Sequence, residues 1–581
     1  MKNYLLLFLS CLAIGACSDP KAETLFRELS PETSGVDFVN TIQESLDLNI
    51  LTDEFMYNGG GVAVGDFNLD GYYDLYFSGN QVANKLYLNE GYMKFREVTT
   101  EAGVAAADIW SSGVSVVDIN QDGRPDIYVS ASFHEEKAKR TNKLFINTGN
   151  NTEGIPQFSE QAADFGLADT SYNTHSYFFD YDKDGDLDVF LLNDKLFSPR
   201  STTNLKLLME GDEAAATIDK LYQNNGENFF EDVSQAAGIN ELGFGLGAVI
   251  FDANGDRWYD IYVSNDFISN DVLYINQRDG TFKNEIQKYF KHHSFSSMGI
   301  DAADLNGDGK SDLMTLDMLP ENQARVKRTY SFQKFQFYDL MRRNGYLMQY
   351  NSNSLQLSNT EGRYSEVSAL SGLDASEWSW SVLFADFDND GLKDVAISNG
   401  YPRDITDMDF ADYNSGANKL VLSKENILAQ IPTVKVPNYF FKNTGDASFQ
   451  DVSQAWGISN PSFSNGAIIA DLDNDGDLDY VVNNINDPAQ IYENRADVLN
   501  KNASLRLYLF GEDGNKDAVG AKVTVYYEDK FAIAHQLPQR GYISSIEQGI
   551  HFGLGERQKV DSILIYWPEG EYSLIKNIEI E

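Results

Sequence analysis

Short apolar segments, each cut off by Gly, Asn or Asp, recur from about residue 25 to residue 496. The order within each unit is constant. An apolar-Gly stretch such as Gly60-Gly61-Val62-Ala63-Val64-Gly65 comes first, and an acidic turn follows. A β-branched and aromatic run is next, as in Asp126-Ile127-Tyr128-Val129, then an aromatic-Leu segment, as in Asn84-Lys85-Leu86-Tyr87-Leu88-Asn89. Phe-x-Glu/Asp-Val closes the unit shortly before a Gly: Phe95 to Val98 before Gly103, Phe230 to Val233 before Gly238, Phe449 to Val452 before Gly457. Such runs bounded by turn residues read as strands. Four short strands per unit, repeated along the chain, predict the blades of a β-propeller.

A linear solenoid is the alternative, and the two ends of the region choose. After the last acidic turn only one further strand remains, near Ala489 to Glu493, and its Phe-x-Glu-Val partner is missing. That partner stands ahead of the first unit, as Phe26-Arg27-Glu28-Leu29 before Gly35. A ring closed by this piece leaves no open strand edges. The expected fold class is therefore all-β: a seven-bladed β-propeller over 25–496, closed by its N-terminal strand. Residues 497–581 lose the acidic turns but keep β alternation, as in Leu505 to Leu509, Ala521 to Tyr526 and Ser562 to Trp567. They predict a small separate β-sandwich, with a short final strand after Trp567.

The acidic turn is a nonapeptide, Asp-x-Asn/Asp-x-Asp-Gly-x-x-Asp, written seven times. Its oxygen side chains at positions 1, 3, 5 and 9 are candidate metal ligands. They are Asp66, Asn68, Asp70 and Asp74 in the first motif, and Asp118, Asn120, Asp122 and Asp126 in the second. The third has Asp180, Asp182, Asp184 and Asp188, and the fourth Asp252, Asn254, Asp256 and Asp260. The fifth has Asp304, Asn306, Asp308 and Asp312, the sixth Asp386, Asp388, Asp390 and Asp394, and the seventh Asp471, Asp473, Asp475 and Asp479. Glycine at position 6 supplies the left-handed conformation that reverses the loop. Calcium takes six to eight oxygens in flexible geometry, whereas magnesium demands a stricter octahedron, so Ca²⁺ at up to seven sites is the expected cofactor. Position 7 shares no chemistry (Tyr72, Arg124, Asp186, Trp258, Lys310, Leu392, Asp477), as befits a ligand that offers only its carbonyl. These are not EF-hands, because Asp arrives at position 9 and runs straight into a strand. The fourth motif has Arg257 in place of Gly, which costs on the order of 1 kcal/mol in a left-handed conformation and adds a positive charge; it is the expected weakest site.

The motifs begin 52, 62, 72, 52, 82 and 85 residues apart, so the longer units carry insertions, chiefly 195–218, 317–352 and 400–437. The middle one is basic and aromatic: either a ligand lid or a loop that packs down and offsets nearby carboxylates. Candidate ligand contacts lie beside the last, at Trp378 and Trp380 and at Tyr401, Arg403 and Asp404; a Trp pair can stack on sugar rings, or it can be blade core.

The formal net charge of −43 argues against nucleic-acid binding. The seven motifs hold 24 of the acidic side chains at their ligand positions, so seven Ca²⁺ would offset part of it. The N-terminus is Met1-Lys2, an apolar run from Tyr4 to Ile14, then Gly15-Ala16-Cys17. The run is too short to cross a membrane and reads as a secretory signal over 1–16. Ile14-Gly15-Ala16-Cys17 resembles a bacterial lipobox, in which Cys17 carries lipid and 17–24 form a tether. The only other cysteine, Cys11, leaves with the signal, so the mature chain has no disulfide and cations would staple it.

The nonapeptide units resemble the FG-GAP/VCBS repeats of integrin α-subunit propellers. The tail resembles the ASPIC/UnbV domain of the cartilage acidic protein family, on Ala518 to Val523, Gly541-Tyr542-Ile543-Ser544-Ser545, His551-Phe552-Gly553-Leu554-Gly555, Val560 to Ile563 and Trp567-Pro568. The resemblance implies a calcium-bearing propeller and extracellular recognition, and with the lipobox it looks like a lipoprotein of the bacterial outer membrane. The expected function is a calcium-stabilised, lipid-anchored binding or adhesion protein that recognises a glycan or an extracellular protein through propeller loops. Contact with the membrane is through the lipid anchor alone. The alternative is a carbohydrate-active hydrolase or lyase on the same scaffold. The six histidines (134, 175, 292, 293, 535, 551) show no metal-ligand spacing, though His175 and the His292-His293 pair lie where one could face the central channel.

Overall fold

A computed structural model describes residues 23–194, 217–267, 269–329, 335–416, 423–512, 514–528 and 530–580. The signal segment with Cys17 and nearly all of the insertion 195–218 lie outside these residues.

The chain folds as an all-β, propeller-like assembly. Seven four-stranded antiparallel sheets succeed one another along residues 26–494. In the second of these, Ser111–Val117, Asp126–Ala131, Lys143–Asn150 and Pro156–Glu160 pair in chain order. First and second strands are the buried ones; Ser111–Val117 and Asp126–Ala131 are buried at every residue. Each first strand lies against the first strand of the next sheet, and Val62–Gly65 of the first sheet lies against Ser464–Ala470 of the last. The fourth strand of the last sheet is N-terminal: Phe26–Leu29 pairs antiparallel with Gln490–Asn494, Phe26 opposite Asn494.

Every second strand starts on an Asp at position 9 of the motif, so the acidic turn is the hairpin between first and second strands. The Phe-x-Glu/Asp-Val signature forms the outer strand plus one helical turn. In Phe95–Glu97 and Thr99–Ala102, Glu97 accepts the Thr99 N–H at 2.9 Å, and Gly103 closes the turn at φ +81°. Glycine is the usual residue at such a left-handed end.

The tail forms a second core. Lys530–His535, Lys522–Tyr527, Lys559–Tyr566 and Tyr572–Glu579 make a four-stranded sheet, and Ala503–Leu507 pairs with Ile550–Gly555. Val523, Val525, Phe552, Leu554, Ile563 and Ile565 are buried together. The last strand is eight residues long, longer than the sequence suggests, because it pairs with Lys559–Tyr566 along its length.

The tail sits on the propeller face that carries the acidic turns. Tyr259 donates to the Gly520 carbonyl at 2.6 Å, and Ser504 to the Gly476 carbonyl at 2.8 Å. Gly555 donates its N–H to Asn389 at 2.7 Å. From this seat the loop 539–547 enters between the first strands. Ser545 exchanges backbone hydrogen bonds with Val62 and Val64, and Val114 and Ile300 donate to Ile543 and Gly541. Tyr542, at the tip, is fully buried. The glycines that precede the motifs now have a reason. A Cβ on Gly61 would stand 1.8 Å from the Ile543 carbonyl oxygen, and one on Gly466 would meet Gly60 and Ser544 at 2.7 Å. The channel is lined with glycine where another segment of the chain passes through it.

Candidate functional site

Six of the seven acidic turns share one hydrogen-bond scheme; in the third, the Lys183 N–H takes the place of the Asp184 N–H on Asp180. In the first, the two oxygens of Asp66 accept the N–H groups of Asp70 and Gly71 at 3.0 and 2.9 Å, and Asp70 accepts that of Tyr72 at 2.9 Å. The same bonds recur in the second at Asp118 and Asp122, and in the sixth at Asp386 and Asp390. Backbone donors thus hold the carboxylates at positions 1 and 5.

Position 9 has a second task that sequence reasoning missed. Asp126 accepts the Ile119 N–H at 3.1 Å through one oxygen and the Asn147 N–H at 2.7 Å through the other. Asp74, Asp188, Asp260, Asp312, Asp394 and Asp479 do the same with their own neighbours. The third-strand Asn then reaches into the preceding sheet: Asn147 Nδ2 donates to Phe67 O at 2.9 Å, and Asn89 Nδ2 to Leu472 O at 2.7 Å. The closing Asp is therefore a blade staple as well as a candidate ligand. Its signal was visible as Asn at the end of six of the seven third strands.

The third, sixth and seventh motifs, with four carboxylates each, converge best. Ligand oxygens of Asp180, Asp182 and Asp188 lie within 4.8 Å of one another, as do those of Asp386, Asp388 and Asp394 and those of Asp471, Asp473 and Asp475. Asp388 Oδ1 and Asp473 Oδ1 are buried and have no hydrogen-bond partner. Burial pushes Asp180 up to about 7 and Asp126 and Asp260 up to about 8, with neighbouring carboxylates adding to it. A site that resists its own ionisation while offering unpartnered oxygens suits a hard cation. These residues could hold a metal ion.

Cationic side chains already reach some of these carboxylates. Lys442 contacts Asp388 and stands 2.7 Å from Asp390, and Arg506 stands 2.5 Å from Asp471. In the fourth motif Arg278 stands 2.6 Å from Asp256. Arg257 adopts φ +68° and lays its guanidinium 4.4 Å over the Tyr566 ring of the tail. The residue that breaks the motif docks the second domain.

The candidate ligand contacts do not form an open face. Trp378, Trp380 and Tyr401 are buried in one cluster with Tyr542. Trp378 and Tyr401 stack at 3.8 Å with 2° between planes, so Tyr401 covers the ring that would meet a sugar. Arg403 is paired with Glu44 at 2.7 Å. Asp404 is fully buried and accepts from Thr406 and from Arg325 at 3.1 Å. Burial corrects the expectation of surface contacts here. Two arginines of the basic insertion are likewise paired: Arg325 stands 2.6 Å from Glu377, and Arg328 faces Asp407 and Asp409.

Of the histidines, His175 and His293 are buried, whereas His134 and His292 are partly exposed. His175 lies buried on a first strand, and burial lowers it to about 3. His293 is buried 3.6 Å from Asp271, and His551 lies 3.2 Å from the Gly476 carbonyl. At the channel end remote from the acidic turns, Asp53, Trp110, Phe133, Tyr172, Asp194 and Tyr542 line a small cavity that sequence reasoning did not find.

Comparison with known families accounts for both parts. The FG-GAP-like repeat model matches residues 66–129, 252–315 and 427–482, and the ASPIC and UnbV model matches 511–581. The chain is an FG-GAP-repeat protein with a C-terminal ASPIC/UnbV domain. Its third and sixth motifs fall outside the matched stretches yet build the same sheets. The FG-GAP protein is 23% identical over 535 residues to cartilage acidic protein 1 of Mus musculus, covering 88% of this chain and 70% of that one. The Homo sapiens protein gives 23% identity, with 88% and 69% covered. Among solved structures, an Agrocybe aegerita lectin that recognises non-reducing terminal N-acetylglucosamine is similar at TM-score 0.36 and 15% identity, covering 78% of this chain and 92% of that one. The rhamnogalacturonan lyase PL11 of Bacillus licheniformis gives TM-score 0.35 and 11% identity, covering 76% and 72%.

Proposed function

We propose that this FG-GAP protein is a calcium-stabilised binding protein, held at a bacterial outer membrane by lipid on Cys17, that recognises a glycan or an extracellular protein. The observation that carries the reading is the division of labour between the two channel ends. The acidic turns lie at the end that the tail covers, through Ser504, Gly520 and Gly555. Calcium there would brace blades and seat the tail. Asp, Asn and carbonyl oxygens of the turns would hold it, and its charge would offset their mutual repulsion. Recognition then falls to the opposite end, where connections such as 53–59, 110–112 and 132–133 meet around the Tyr542 tip.

Among the described residues no helix is long and apolar enough to cross a membrane, and a lipid on Cys17 would supply the anchorage. Labelling cells with an alkyne fatty acid tests the anchor; incorporation should vanish in Cys17→Ser. A glycan array and a surface-proteome pull-down, each with and without calcium, test recognition. Calcium-dependent capture without turnover supports the proposal. Release of shortened or unsaturated sugars would replace it with a hydrolase or lyase.

A further inference from the structure

We infer that the cavity at the channel end remote from the acidic turns is a site for an organic cation, an alkylammonium or guanidinium group. The inference rests on the reading of this end as the recognition end.

Asp194 carries the argument. It follows the second strand Asp188–Asn193 and is buried against the cavity. Its Oδ2 accepts from Asn58 Nδ2 at 3.3 Å, while its Oδ1 has no hydrogen-bond partner. A buried carboxylate oxygen without a partner is costly unless a charge or donor meets it. Tyr542, on the floor, also has an unpartnered hydroxyl. Burial first, and then the neighbouring Asp266 and Asp53, hold Asp194 well above the usual carboxylate range, and a bound cation would favour its ionised form. The walls are aromatic: Trp110 and Phe133 pack at 4.4 Å with 31° between planes, and Tyr172 stands beside them with the Arg140 guanidinium 4.2 Å over one face of its ring. Aromatic faces next to a carboxylate are the surroundings that attract an organic cation.

Two other occupants fit less well. A divalent metal needs several oxygens converging on one point. Among the described residues the convergent acidic groups all include motif carboxylates, and Asp53, Asp194 and Asp266 are in none of them. A neutral sugar would satisfy Asp194 Oδ1 through a hydroxyl but would leave the field of the two lining carboxylates, Asp53 and Asp194, uncompensated.

The test is calorimetric titration of the calcium-loaded full chain with n-butylammonium chloride and with an acetylated, amidated lysine tripeptide. Saturable binding of either, weakened about tenfold or more by the near-isosteric Asp194→Asn, supports the site. Comparable affinity for both probes points to a small free amine; clear preference for the peptide points to a lysine of a protein partner. Phe133→Leu, on the half-buried wall, should weaken binding as well, and it keeps the test sharp if Asp194→Asn folds poorly. No binding of either probe overturns the inference, and so does binding that both variants leave unchanged. A neutral glycan bound equally well by Asp194→Asn would overturn it too, while leaving the broader recognition proposal standing.

Discussion

Arg540 grips Asp301 with two parallel hydrogen bonds, Nε to Oδ1 at 2.9 Å and Nη2 to Oδ2 at 2.6 Å. The first residue belongs to the tail and the second to a first strand of the propeller. Asp301 is fully buried, and Arg540 also donates to the Phe384 carbonyl at 2.9 Å. The pair sits where the loop 539–547 enters the channel, so it pins one domain inside the other.

Removing one partner of a buried ion pair leaves the other charge stranded, at roughly 3–5 kcal/mol. Arg540→Met should therefore destabilise the tail strongly, whereas Arg540→Met with Asp301→Asn should recover a large part. Urea unfolding followed by tail-specific proteolysis reads both. Equal loss in the single and the double variant would show that packing, not charge, pins the loop.

Calcium should bind the motifs unequally. The third motif has converging carboxylates, whereas Asp256 in the fourth is engaged by Arg278. Asp182→Ala, which removes the position-3 oxygen altogether, should lower the calcium stoichiometry by one, and Asp256→Asn should leave it unchanged. EGTA should lower the melting temperature of the wild type, because burial and mutual repulsion raise these carboxyls when no cation compensates. Identical melting with and without EGTA would count against structural calcium.

Positions 5 and 9 should separate affinity from folding. Asp122→Asn keeps an acceptor for the Arg124 N–H and removes a ligand charge, so it should weaken calcium with little change in fold. Asp126→Asn turns an amide NH₂ toward either the Ile119 or the Asn147 N–H. That leaves a buried donor facing a donor, at about 2 kcal/mol in saturating calcium. Denaturation midpoints in calcium, set beside calcium affinities, distinguish the two effects.

Asp219 supplies a pH test away from the acidic turns. It accepts the Asn193 N–H at 2.9 Å, the place that Asn142 takes toward Ala131 and Asn84 toward Gly79 in other sheets. Burial pushes it up to about 7, against about 4 in an unfolded chain. The folded state therefore keeps a proton that the unfolded state has lost. Its stabilising effect is complete below about pH 4 and is lost as pH rises through the folded value. Asp219→Asn should raise stability at pH 8 by on the order of 2 kcal/mol and by little near pH 4.5. A gain independent of pH would refute the assignment to charge.

The sequence by itself determined what depends on neighbours a few residues apart. The nonapeptide contains its own donors, acceptors and left-handed turn, so its loop, the strand that starts at position 9 and the four-strand unit could be read from spacing. The displaced Phe26-Arg27-Glu28-Leu29 could be paired with the last sheet because that sheet lacked one element. Asp126 and Arg257 were legible only in half of their roles, since Asn147 and Tyr566, which complete them, are remote in sequence.

Tertiary structure decided what depends on encounter. Nothing around Gly541-Tyr542-Ile543 announces that it enters a channel, because the glycines that admit it, such as Gly61 and Gly466, lie in other segments of the chain and make sense only once the strands are side by side. Trp378 and Trp380 allowed two readings, a sugar platform or blade core, and Tyr401, stacked over Trp378, decides for the core. Nothing in the sequence marks Asp194; its unpartnered oxygen appears only when Asn58, Trp110 and the tip of the tail meet around it. Local hydrogen bonding is written within a motif, whereas burial is shared among segments that only folding brings together.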